Sequence, residues 1–141
     1  MTRLITVATA AASLMLSVTA ANADILHYRA QLRGAAETPP NPTSAKGEVV
    51  ATLDTDRRML DYTVTYKGLS GPIAAAGFKE PNSPPDDPIV TAPTQGSTIH
   101  AVAQLTRAQV NDLNAGRWVF DISTNANPGG EIRGKVQRSS D

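Results

Sequence analysis

The chain has 141 residues, 13 Lys and Arg balanced by 13 Asp and Glu, no cysteine, and 4% aromatic content. That length suits one domain, and the lack of cysteine excludes disulfides, thiolate metal sites, a thiol nucleophile and a lipidated cysteine anchor. A formal charge of zero argues against non-specific nucleic-acid binding, which draws on an excess of clustered cations.

The N-terminus reads as an export signal. Arg3 is the sole charge before Asp24, and the uncharged stretch 4–23 is richest in apolar residues around Leu14, Met15 and Leu16. Ala21-Asn22-Ala23 is an A-x-A cleavage site, which places the cut between Ala23 and Asp24. The chain then divides into a signal peptide, 1–23, and one domain, 24–141. A lasting membrane tether is the competing reading, but the stretch is weakly apolar and its small-residue ending fits removal better.

Beyond Asp24, period-2 alternation dominates and points to strands. In Ile25–Arg33, Leu26, Tyr28, Ala30 and Leu32 share one face. Lys46–Asp54 alternates through Val49, Ala51 and Leu53, and Met59–Lys67 through Leu60, Tyr62, Val64 and Tyr66. The polar run Asp54-Thr55-Asp56-Arg57-Arg58 joins these two as a hairpin loop. Weaker strand patterns occupy 73–78 and 89–92. Between residues 77 and 96 lie five prolines (Pro81, Pro84, Pro85, Pro88, Pro93) and the pair Asp86-Asp87. Proline cannot donate to a ladder, so this region is expected to be mostly loop or edge, and loops of that length are commonly functional or disordered.

Ile99, Ala101, Ala103 and Leu105 form the next alternating set. Thr106 and Gln109 then make a T-x-x-Q capping box, flanked by Leu105 and Val110 as a hydrophobic staple. Gly116 stands where a left-handed residue would end a short helix over about 107–115. Trp118, Phe120 and Ile122 alternate with Val119, Asp121 and Ser123. Ile132, Gly134 and Val136 alternate with Glu131, Arg133 and Lys135, after a turn over 125–130. Glu131 and Arg133 are expected to share a strand face as a cross-strand or loop-pinning ion pair. Many short strands with regular turns predict an antiparallel β-sandwich.

Several of these segments together resemble the CHRD (chordin-type) domain family. They are Leu32-Arg33-Gly34-Ala35-Ala36-Glu37-Thr38-Pro39-Pro40, Ala45-x-Gly47, Leu60-Asp61-Tyr62-Thr63-Val64 and Gly68-Leu69-Ser70-Gly71-Pro72. Ala115-Gly116-Arg117-Trp118 and Asn127-Pro128-Gly129-Gly130-Glu131-Ile132-Arg133-Gly134 complete the ordered set. The resemblance covers nearly all of the expected domain. It implies an all-β Greek-key sandwich, akin to immunoglobulin-like and copper/zinc superoxide dismutase domains. It also implies an exported protein, as in chordin, where such domains belong to an extracellular binding protein.

The departures from the family pattern bear on chemistry. Many members carry His-x-His-Gly-Pro where this chain has Gly77-Phe78-Lys79-Glu80-Pro81, and Ile-His-Thr where it has Ile122-Ser123-Thr124. Gly77, Lys79 and Ser123 thus occupy the histidine positions. Glycine offers no ligand and a lysine ammonium repels a metal cation, so no metal or other cofactor is expected. His27 and His100 remain, on separate strands. A rebuilt metal site would need Asp86, Asp87 or Glu80 beside them.

No G-x-S-x-G elbow surrounds Ser70, Ser97 or Ser123. The Gly129-Gly130 pair is explained by a turn with positive φ rather than an anion nest. The expected function is a non-enzymatic exported binding or structural module with an envelope or extracellular protein partner. Candidate contacts are Phe78, Lys79, Asp86 and Asp87, with no nucleic acid and no membrane anchor after cleavage. A copper-dependent, superoxide-dismutase-like redox protein with a relocated site is the alternative.

Overall fold

The computed structural model describes residues 11–15 and 24–140. Most of the expected signal peptide, including Ala23, lies outside the described residues; 11–15 are exposed and without regular structure. Among the described residues no helix is long and apolar enough to cross a membrane.

Among the described residues, nine antiparallel strands, one α-helix and a single 3-10 turn (Gly34–Ala36) follow Asp24. They are β1 (Ile25–Arg33), β2 (Lys46–Asp54), β3 (Met59–Lys67), β4 (Ile73–Lys79), β5 (Val90–Thr91), β6 (Thr98–Gln104), α1 (Arg107–Asn114), β7 (Val119–Thr124), β8 (Ile132–Lys135) and β9 (Gln137–Ser139). The alternating apolar residues of the first three face inward as their period requires: Tyr28, Ala30, Val49, Ala51, Leu60 and Tyr62 are all buried. Local chemistry sets the breaks. In the β2–β3 hairpin, Asp54 Oδ1 accepts from the amides of Asp56 and Arg57, both at 3.0 Å, and Arg58 takes φ 53°. The capping box forms in both directions: Gln109 N donates to Thr106 Oγ1 at 3.1 Å, and Thr106 N to Gln109 Oε1 at 2.9 Å. Gly116, at φ 72°, turns the chain out of α1 toward β7.

The strands hydrogen-bond in the order β5-β4-β7-β8-β1-β2-β3-β6, with β9 also pairing β1. Four strands separate β3 from β4 along that path, so a flat sheet would hold them about 24 Å apart. Instead the Tyr62 ring of β3 meets Phe78 of β4 edge-on at 4.9 Å and Phe120 of β7 at 6.3 Å. The sheet therefore folds over, and its two wings, β5-β4-β7-β8 and β1-β2-β3-β6, share one core. Phe78 also packs on Phe120 at 4.9 Å and Trp118 at 5.7 Å, which completes the aromatic centre.

The all-β antiparallel expectation holds, with differences in the second half. β4 fills the weak 73–78 strand pattern and runs one residue further, into the stretch expected to be mostly loop or edge, because its ladder with β7 extends to Lys79 opposite Val119. β5 is two residues long and pairs Gly77 with Thr91. Every residue of β7 is buried, including Val119, Asp121 and Ser123 on the face that alternation marks as outer. A second layer covers that face.

Candidate functional site

The covering layer is the proline-rich segment after β4. Register sets Gly77 opposite Asp121 and Asp121 opposite Arg133, with Ala75 opposite Ser123, so these residues share the outer face of β4, β7 and β8. Glu37 reaches the same face from the turn after β1. Lys79 is 1% exposed, Asp121 4%, Glu37 4% and Arg133 8%. Two cations and two carboxyl groups are thus enclosed together.

Their geometry is a chain of contacts. Arg133 Nε donates to Asp121 Oδ2 at 2.8 Å and lies 3.4 Å from Glu37 Oε2; Lys79 Nζ is 3.6 Å from Asp121 Oδ2. The remaining donors reach the covering segment: Arg133 to the Pro81 carbonyl at 3.1 Å and Lys79 to the Ser83 carbonyl at 2.8 Å. Buried charges require such partners. Here the partners are the backbone of 80–83, so the ion network fastens the loop to the sheet.

One guanidinium serves two carboxylates, and Asp121 takes the shorter contact and the ammonium as well. Glu37 accordingly holds the proton. Burial, then the neighbouring Asp121 charge, push its carboxyl up to about 8, against the pull of Arg133 and Lys79. A protonated Glu37 donates to Asp121. That one proton pairs one buried Glu37 oxygen with the Asp121 carboxylate, at a place where Glu37 Oε1, Glu37 Oε2 and Asp121 Oδ1 otherwise have no hydrogen-bond partner. Glu37 sits tightly against Gly130, where an added Cβ would stand 2.7 Å from its Cδ and where φ is 121°. Glycine there is dictated by both space and backbone.

A second buried acid, Glu131, has the opposite character. It accepts from Thr124 Oγ1 at 2.8 Å, Thr43 Oγ1 at 2.9 Å, Ser70 N at 3.0 Å, Ser70 Oγ at 3.1 Å and Asn127 Nδ2 at 3.1 Å. Burial opposes its ionisation, but these hydrogen bonds outweigh that and hold its carboxyl below the usual value. Glu131 ties three loops to one point without any ion pair. This corrects the expected pairing of Glu131 with Arg133: β8 begins at Ile132, and Arg133 turns to Asp121 and Glu37 instead.

Two of the four expected contact residues are corrected as well. Phe78 is fully enclosed in the aromatic core, and Lys79 is engaged by Asp121 and Ser83; neither side chain reaches the surface. Asp86 and Asp87 are exposed, and Asp86 lines a cleft of about 380 Å³ with Ala75, Pro85, Ser123 and Pro128. Glu37 and Asp121 escaped sequence reading as site residues. The available signal for Asp121 was an acid inside the apolar run from Trp118 to Ile122; Glu37 gave none.

The metal chemistry suggested by the family's histidines does not fit these residues. A Cβ at Gly77 would meet the Val90 carbonyl and approach Pro88 Cβ to 2.8 Å, so no imidazole has room there. Lys79 presents a neutralised ammonium, and Ser123 Oγ donates to the Ala75 carbonyl at 3.3 Å. His100 pairs instead with Asp61 at 3.0 Å on the exposed face of the other wing, and β2 and β3 separate its strand from that of His27. Among the described residues, no three of His, Asp and Glu cluster as metal ligands would.

In comparisons with known proteins, the family model of the CHRD domain matches residues 28–136. No curated protein and no solved structure matches the chain.

Proposed function

The chain belongs to the CHRD domain family, and from that premise we propose that it is an exported, non-enzymatic binding module whose contact surface is the fastened segment 80–89. The carrying observation is the buried network in place of the family's histidines. Its cations pair with the buried carboxyl groups and also donate to the Pro81 and Ser83 carbonyls, an arrangement that favours the ordering of a loop over a reaction. The loop in turn presents Asp86 and Asp87 to solvent beside an open cleft. A pre-ordered loop loses less conformational freedom on binding than a mobile one, which favours recognition. The apolar leader and A-x-A site support export, with an envelope or extracellular protein as partner.

Crosslinking in the producing cells tests this reading. The Asp86→Ala/Asp87→Ala double variant should keep the wild-type melting temperature, because both side chains are exposed, yet lose most of the crosslinked partner. Unchanged partner recovery would remove the loop from the function. Mass spectrometry of the recovered protein should show Asp24 as its first residue. A peptide containing Arg3 would refute cleavage, and stoichiometric copper would restore the redox alternative.

A further inference from the structure

The outer face of the other wing carries a feature that neither the buried network nor the proline-rich segment uses. Register places Lys67 of β3 opposite Lys46 of β2, Lys46 opposite Arg33 of β1, and Arg33 opposite Arg133 of β8. Four cations therefore cross four neighbouring strands in one row, about 5 Å per step. Arg133 is turned inward to its carboxylates, whereas Lys67, Lys46 and Arg33 are exposed, as is Lys135 two residues along β8. Among the described residues, none of these four exposed cations makes an ion pair.

Like charges directly opposite across strands repel, so the row is not a device for holding the sheet together. Exposed and, among the described residues, outside any ion pair, Lys67, Lys46 and Arg33 are open to an anionic ligand. Two depressions flank it and meet at Gln31. One, about 260 Å³, is lined by Lys46, Thr65 and Lys67; the other, about 620 Å³, by Arg33, Lys135 and Gln137. Glu48 also lines the smaller one, but it is occupied by Gln31 at 2.8 Å and Arg29 at 3.4 Å.

We propose that this row is a docking groove for a linear acidic polysaccharide. Regularly spaced cations match a chain that carries a carboxylate on successive sugars. The neutral side chains beside the row, Gln31, Thr65 and Gln137, suit sugar hydroxyls. A single-stranded nucleic acid would call for aromatic platforms. Tyr66 is the aromatic lining the smaller depression, and its hydroxyl is bound to the Gly96 carbonyl at 2.7 Å. A bilayer would call for apolar side chains among the cations, and Lys67, Lys46 and Arg33 have none between them in the row.

The test uses the full chain as purified, with polygalacturonate as probe across a salt series. Neutral dextran, phosphatidylglycerol vesicles and oligo-dT run in parallel. Polygalacturonate should bind, dextran should not, and affinity should fall steeply with salt. The Lys46→Gln/Lys67→Gln variant should bind about tenfold more weakly, and its salt slope should shrink by about two. Arg33→Gln should shift the slope the same way by about one. Melting temperatures should be no lower than wild type, since all three side chains are exposed and neutralising them relieves the repulsion across the strands. Equal binding to dextran, or variants with wild-type affinity and slope, would overturn the groove. Tighter binding to vesicles or oligo-dT would overturn the polysaccharide as occupant. The Asp86→Ala/Asp87→Ala variant should bind polygalacturonate normally, which separates this face from the loop surface proposed above.

Discussion

Replacing Glu37 by glutamine removes an ionisable group from the buried network while keeping its shape. The wild-type carboxyl is 4% exposed and titrates at about 8 in place of 4.5. Between those values the native protein holds a proton that the unfolded chain has released. Stability from this group is therefore complete below pH 4.5, declines as pH rises through 8, and is level above that. The window of 4.5 to 8, at about 1.4 kcal/mol per unit, sets a ceiling of about 5 kcal/mol on the loss. In the Glu37→Gln variant the amide can donate to Asp121 as the protonated acid does, without the later ionisation. Urea unfolding across the window measures both proteins, and taking their difference cancels the titrating groups that lie outside the Glu37 network. The two should be alike at the acid end. At the alkaline end the variant should be more stable by several kcal/mol. Parallel curves, or a wild type that gains on the variant as pH rises, would refute a protonated Glu37 and with it the assigned network.

Two further changes probe the same region. Gly77→His restores one family histidine but drives it into the Val90 carbonyl and Pro88; it should lower the melting temperature by several degrees and bind no stoichiometric copper or zinc. Retained stability with bound metal would contradict the packing described for β4 and β5. Glu131→Gln replaces one accepting oxygen by an NH2 donor that faces donors such as Ser70 N, and should cost about 1–3 kcal/mol at neutral pH by urea unfolding. Because the Glu131 carboxyl is held below its ordinary 4.5, that advantage is present above this pH and fades as pH falls through the lowered value. The gap between wild type and variant should therefore close in acid; a gap that stays constant would count against the hydrogen-bonded carboxylate.

Local patterns carried far in this chain. Alternation located β1, β2 and β3 at their observed bounds, and the Thr106–Gln109 box located the start of α1, because period and capping depend on residues within one turn or one strand. The ordered motifs from Leu32 onward pointed to the family that the comparison supports over 28–136. Reading weakened at β4. Phe78 stands beside prolines, and its neighbours in sequence say nothing of the Tyr62 and Phe120 rings that enclose it from other strands.

The amino-acid order by itself determined β1, β2, β3 and the helix cap, which rest on patterns among near neighbours, and the family, which rests on the order of its motifs. Folding decided which charges are buried and which are presented. Glu37, Lys79, Asp121 and Arg133 are far apart in the chain and converge because the proline-rich segment closes over β7. Lys67, Lys46 and Arg33 are scattered through a sequence of zero formal charge, and they align because sheet register sets them side by side. Both arrangements depend on long-range pairing, whose register follows from burial of the opposite face rather than from the charged residues themselves.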